Sequence, residues 1–415
     1  MLMQYKMSTS RGWSVLTVSA AAVALCALAP PRVGASSVNA ALEAQRANAL
    51  PLTAFYSNPA ALPGTPGALI RSEAFDHYEL PGGVRAVRIA YQSTSANGHP
   101  LMATGVVLIP YGEPPEGGWP VVAWAHGTAG VARTCAPSLM KNLYYGWAGL
   151  LEYPIMGFAV VATDYAGLGT EGEHQYMSME AQAQDVLNAI PAARAAVPEL
   201  AREWAAVGHS QGGTAVLHVA ELERRLGNVN FIGSISLAPP TDLTAMWHAP
   251  TPAGDPASGY LGIIASGIRA ADPTFHYEDM LTGLGMSKLG VIRGEACLGA
   301  ATSAYGKAHA ASILQPGWAD SPAVKRFSEA NRPDIKAGNA PVLVLQGLAD
   351  SVISPAMTKR SVDRMCSQGA VIDYRTYAGM DHEPLIDASF RDQIDWLRDR
   401  FAHRPARGCG TPAAP

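Results

Sequence analysis

The chain has 415 residues, of which 48% are hydrophobic and 15% charged, with a formal net charge of −4. That allows one large α/β domain with an insertion, or two domains, and a sizeable core. The balance is neither strongly basic nor disordered, which excludes a nucleic-acid-binding protein.

The first residues read as a targeting segment. Lys6 and Arg11 supply a modest positive start, Trp13 to Ala29 is an apolar run too short to span a bilayer comfortably, and Val33-Gly34-Ala35 offers small residues for cleavage. A signal peptide is therefore expected over residues 1–35, with a mature chain from Ser36 and a secreted or periplasmic location. Leu25 precedes Cys26 where a lipoprotein signal prefers a small residue, which argues against lipidation.

Residues 36–75 read as a leader with short helical pieces, including a helix over Leu42–Ala49, broken by Pro and Gly. Val84–Tyr91 and Leu101–Ile109 read as strands joined through Asn97-Gly98, a plausible antiparallel edge pair. Val121–Ala125 is a buried strand that ends in His126-Gly127-Thr128-Ala129-Gly130. A turn of that kind lets backbone N–H groups point into a cleft, so the N–H of Thr128 is a candidate oxyanion donor. His126 is read as a structural brace of this loop. Phe158–Thr163 is the next strand, and Asp164 after it is read as satisfying the N–H groups of the glycine turn that follows. Ser178–Val197 reads as the crossover helix a parallel sheet requires, with Pro191 as a kink or break.

The apolar run Trp204–Val207 then leads into Gly208-His209-Ser210-Gln211-Gly212, and a helical pattern leads out. A strand turning sharply into a helix holds its turn residue in strained dihedrals and leaves the side chain exposed, while the helix N-terminus behind it offers free N–H groups. Ser210 is thus a candidate nucleophile and the N–H of Gln211 a second oxyanion donor.

After a strand at Phe231–Leu237 the α/β rhythm stops until Val342–Leu345. The intervening stretch is rich in aromatic residues and reads as a helical cap with its own small core. The later strand is followed by Asp350, and a strand at Val371–Tyr377 is followed by Asp381-His382-Glu383 before a final helix, Leu385–Phe401.

A hydroxyl is a poor nucleophile, so an imidazole must take its proton, and a carboxylate on the far ring nitrogen must fix the tautomer. Ser210, Asp350 and His382 each follow a strand and occur in that chain order, which is the order of one hydrolase architecture and not of the chymotrypsin or subtilisin types. Of the rival acids, Asp373 falls within a strand and Asp381 adjoins the histidine too closely to reach its far nitrogen. Removing Cys26 with the signal leaves Cys135, Cys297, Cys366 and Cys409. Four cysteines permit three pairings and sequence cannot choose among them; Cys135–Cys297 with Cys366–Cys409 is taken as the expectation. None has zinc-ligand spacing, so no metal is expected.

The segments GHSQGG, HGTAG, DYAGLG, QGLADSVI and GMDHEP together resemble the α/β-hydrolase superfamily over roughly residues 80–402, and in particular the secretory lipases of the lipase-A type. That resemblance implies a mostly parallel eight-stranded sheet flanked by helices. It places the core over 36–239 and 341–415, with a mainly helical cap at 240–340 before the acid-bearing strand. It implies carboxylic-ester hydrolysis through Ser210, Asp350 and His382. A small-molecule or lipid ester is then the partner, with transient contact at a lipid interface, no nucleic acid and no cofactor. The same triad serves serine peptidases and acyltransferases, and a non-catalytic secreted scaffold is the reading from another class.

Overall fold

The computed structural model describes residues 38–146, 148–226, 230–249 and 259–410. The expected signal peptide, its cleavage site and Cys26 lie outside these residues. Among the described residues no helix is long and apolar enough to cross a membrane.

The strands are β1 (Leu69–Ala74), β2 (Arg85–Thr94), β3 (Pro100–Ile109), β4 (Trp119–Ala125), β5 (Ala159–Thr163), β6 (Leu200–His209), β7 (Phe231–Leu237), β8 (Val342–Gly347) and β9 (Ile372–Tyr377). They form one nine-stranded sheet in the order β1-β2-β3-β5-β4-β6-β7-β8-β9. The pairs from β1 to β5 are antiparallel, and those from β5 through β4 to β9 are parallel.

The sheet has one strand more than the eight expected. The extra strand, β1, sits in the segment read as a helical leader, and it moves the β2–β3 pair off the sheet edge. Its sequence, LIRSEA, has no period-2 alternation of apolar residues, and half of it stays exposed. It is a strand because β2 offers it a free edge, with Ser72 opposite Ile89, not because of its own pattern.

The central strands are covered on both faces, which is why they read as unbroken apolar runs. On β6, Trp204 and Ala206 enter one core cluster and Ala205 and Val207 the other. The crossover helix runs over Met179–Ala196 with Pro191 inside it, so of the kink or break expected there the break does not occur. Between β7 and β8 short helices form the cap. Leu261, Ile264, Phe275, Met280, Leu281 and Trp318 pack into its own core, as the aromatic content suggested. Both disulfides have the expected pairing, Cys135–Cys297 and Cys366–Cys409.

Candidate active site

Ser210 lies between the end of β6 and the elbow helix, Gln211–Leu226, with φ of 55°. A serine in this left-handed region is costly and persists only where the surroundings over-determine it. Its N–H donates to Leu237 O at 2.8 Å, and its carbonyl accepts from Thr214 N at 3.2 Å. The flanking glycines make the turn possible. A Cβ on Gly208 would stand 2.2 Å from Gly212 O, and a Cβ on Gly212 would stand 1.9 Å from Ala125 O of β4. Ser210 is half-buried between buried His209 and Gln211.

Asp350 lies in the loop after β8, its side chain wholly buried. Oδ1 accepts from Val352 N at 2.9 Å and Ile353 N at 2.7 Å. Oδ2 accepts from Gln346 Nε2 at 3.0 Å and lies 2.9 Å from Nδ1 of His382. A carboxylate only accepts, so Nδ1 carries the imidazole proton and Nε2 is left as the basic nitrogen. The acid has its own support, because Thr358 Oγ1 donates to Gln346 Oε1 at 2.8 Å.

The rival acids have other work. Asp381 accepts from Ser351 N at 2.8 Å and from His382 N at 2.7 Å, tying the histidine loop to the acid loop. Asp373 forms an ion pair with Arg375 at 2.7 Å. Asp164 does not hold the glycine turn after it. Its oxygens accept from Ser138 N at 2.8 Å and from the hydroxyls of Ser138 and Thr104, and it is Asp185, on the crossover helix, that takes the Ala166 N–H at 2.9 Å. A carboxylate takes the donors that the tertiary fold presents to it, and here these are Ser138 and Thr104 and not the glycines.

The structure brings His382 to the elbow through His209. Their ring centroids are 4.6 Å apart, and His209 Nε2 is 3.2 Å from His382 O. The hydrogen bonds among the described residues include none from Ser210 Oγ to His382. In enzymes without bound substrate such a contact is often long and tightens in the complex.

On the other side, residues 126–130 follow β4. His126 is a buried brace between the carbonyls of Gly127, at 2.6 Å, and Asp164, at 3.1 Å. Four tyrosines, none singled out in the sequence, hold this loop. Tyr145 OH accepts from Gly127 N at 2.5 Å, Tyr144 OH donates to Thr128 O, Tyr176 OH pairs with Thr128 Oγ1 at 2.8 Å, and Tyr165 OH donates to His126 O at 3.0 Å. Thr128 thus has its hydroxyl and carbonyl engaged while its N–H is not among the bonded donors. Gln211, the first residue of its helix, has no intrahelical acceptor for its own N–H. Its side chain donates from Nε2 to His174 Nε2 at 3.2 Å. Burial pushes His174 down to about 3, so the ring is neutral, with its Nδ1 proton on Ala166 O at 3.0 Å.

Beyond His174 lies a cavity of about 230 Å³, bordered also by Gln182 and Asp185. The Gln182 amide and Asp185 Oδ1 are buried there without protein partners. At the histidine loop, ligand atoms of His209, His382 and Glu383 lie within 4.8 Å of one another. Both ring nitrogens of His209 are already hydrogen-bonded, to Tyr145 and to His382 O, so the trio is organised by hydrogen bonds rather than laid open for a metal. Glu383 was not singled out in the sequence; its carboxyl is raised by desolvation, opposed by the neighbouring imidazole.

Residues 148–408 match the secretory lipase family model. The chain belongs to the secretory lipase family. A stretch of 68 residues is 40% identical to a secreted triacylglycerol lipase of Malassezia globosa, covering 16% of this chain and 14% of that one. The fold is similar to that of Candida antarctica lipase A in its closed state, with a TM-score of 0.73 and 19% identity over 88% of this chain and 90% of that one. It is also similar to the rice cell wall degrading esterase of Xanthomonas oryzae, with a TM-score of 0.68 and 18% identity over 82% of this chain and 100% of that one.

Proposed function

We propose that this secretory lipase hydrolyses carboxylic esters through an acyl-enzyme on Ser210, with His382 as general base and then acid and Asp350 as the carboxylate that orients it. The observation that supports this most directly is the 2.9 Å contact between His382 Nδ1 and buried Asp350, which leaves Nε2 as a base on the loop packed against the elbow.

Ser210 Oγ attacks the ester carbonyl carbon as His382 Nε2 takes its proton. Charge develops on the carbonyl oxygen, and the N–H groups of Gln211 and Thr128 stabilise it, reinforced by the N-terminal end of the elbow helix. The tetrahedral species collapses, the imidazolium protonates the departing alkoxide, and the acyl group stays on Ser210. Water, deprotonated by His382, then cleaves the acyl-enzyme and releases the acid. The substrates are small-molecule or lipid esters of short to medium acyl length, met in part at a lipid interface. The mature chain starts near Ser36 after signal cleavage.

Ser210→Ala is expected to fold with an unchanged unfolding midpoint and to lose hydrolysis of p-nitrophenyl esters, while the native enzyme is labelled at Ser210 by a fluorophosphonate. Full activity in Ser210→Ala would overturn the proposal. N-terminal sequencing of the secreted protein tests the cleavage site.

A further inference from the structure

We propose that Tyr145 and His209 form a one-way hydrogen-bond relay that positions three parts of the catalytic machinery relative to one another. The relay runs from the oxyanion loop, through the residue before the nucleophile, to the backbone of the general base. The inference rests on the triad reading above and extends it to two residues outside the triad.

The ends of the relay fix its direction. Gly127 N–H can only donate, and it does so to Tyr145 Oη at 2.5 Å. His382 C=O can only accept, and His209 Nε2 lies 3.2 Å from it. His209 must therefore carry its proton on Nε2, which leaves Nδ1 as an acceptor 3.2 Å from Tyr145 Oη. The Tyr145 proton then has one place to go, to Nδ1. Every donor and acceptor in the series is matched once, in one sense: Gly127 N–H to Tyr145 O–H to His209 Nδ1, then His209 Nε2–H to His382 C=O.

Both central groups hold the protonation state this needs. Burial pushes the His209 ring well below the usual histidine range, and the nearby His382 acts in the same direction. Burial pushes the Tyr145 hydroxyl well up, as does Glu383. A neutral His209 also matters for the chemistry. Its ring lies 4.6 Å from that of His382, so a second positive charge there would oppose formation of the imidazolium. The relay is rigid at its tyrosine, whose ring packs edge-on against Trp124 of β4 with centroids 5.3 Å apart. It joins the loops after β4 and β9 to the end of β6, just past the last ladder pair of β4 and β6, Ala125 with Gly208.

Tyr145 and His209 are positioning residues, and a packing role can be told from a relay. Tyr145→Phe keeps the ring and removes only the hydroxyl. His209→Leu keeps bulk and removes both nitrogens, whereas His209→Gln restores one acceptor and one donor at the side-chain tip. Tyr145→Phe and His209→Leu are each expected to lower kcat on p-nitrophenyl butyrate by about 10²-fold with KM little changed, the scale of a small misplacement of reacting groups. His209→Gln should recover about tenfold of that loss. Because the two act in series, Tyr145→Phe with His209→Leu should lose no more than either alone. Thermal unfolding midpoints of all variants are measured alongside. Wild-type kcat in His209→Leu, equal losses in the Leu and Gln variants, or losses that multiply to about 10⁴-fold in the double variant would overturn the relay. If Ser210→Ala is dead while these variants are unimpaired, only the relay fails; if Ser210→Ala is active, the triad reading itself has failed.

Discussion

Cys135 and Cys297 stand 162 residues apart in sequence and are joined by a disulfide that ties the core to the cap. The bond does not act alone. Gly130, at the end of the loop after β4, forms an antiparallel bridge with Cys297; Leu298 N donates to Ala129 O at 2.8 Å; and Cys297 N donates to Gln45 Oε1 at 2.9 Å. The cap is thereby anchored one and two residues from the proposed oxyanion donor, Thr128.

Replacing Cys135 and Cys297 together by alanine should destabilise the enzyme by up to about 5 kcal/mol on loop-closure entropy, against about 4 kcal/mol for Cys366 and Cys409, whose separation is 43 residues. Urea unfolding of the two paired variants checks this. Only the first pair should also lower kcat, because only it borders the proposed oxyanion loop.

Asp350→Asn should lower kcat by roughly 10⁴-fold, because an amide in place of the carboxylate no longer dictates the imidazole tautomer. Asp381→Asn should cost less. It loosens the tie from His382 N to Ser351 but leaves the Asp350 contact in place. Asp373→Asn should leave kcat near wild type, since its partner is Arg375. Steady-state kinetics on one ester separates the three.

Gly212→Ala should give little soluble protein. The added methyl group would overlap the Ala125 carbonyl of the neighbouring strand, which is backbone and cannot move aside. The strain should exceed about 3 kcal/mol. A soluble variant with wild-type melting behaviour would show that the elbow is not packed as described.

Stability should fall with rising pH in two successive windows. Burial alone would lower His218, but the hydrogen bonds it donates to Glu180 at 2.9 Å and Glu221 at 3.1 Å outweigh it and raise the ring to about 9. The folded state therefore holds this proton more tightly than the unfolded chain. The resulting stability is full below about pH 6.5 and is lost as pH rises through 9. Burial raises Asp185 to about 7, so its contribution is full below about pH 4 and is lost as pH rises through 7. His218→Gln should flatten the unfolding midpoint between pH 6.5 and 9. Asp185→Asn should flatten it between pH 4 and 7 and leave the variant more stable than wild type at pH 8. Unchanged profiles would contradict both assignments.

Much of the candidate site could be read along the chain because the proposed chemistry needs particular residue types at strand ends. Ser210 was legible from the glycines that a strand-to-helix turn requires, and Asp350 and His382 from their order and their place after apolar runs. Other elements left no such mark. The tyrosines that hold residues 126–128 come from positions 144, 145, 165 and 176, and a hydroxyl's partner across a loop has no spacing to betray it. β1 was missed because an edge strand need not alternate, and Asp164 was given the wrong donors because the nearest N–H groups in sequence are not the nearest in space.

By itself the sequence determined the α/β architecture, the inserted cap and the order of the proposed reactive groups, since burial and turn geometry act on neighbouring residues and leave periodic traces. Only the tertiary structure decided that the loop after β4, the elbow and the histidine loop meet through Tyr145 and His209. It alone decided that Asp381 ties loops together while Asp350 faces the imidazole. Those choices are made by distance and hydrogen-bond direction between residues far apart in the chain, and no local pattern encodes either.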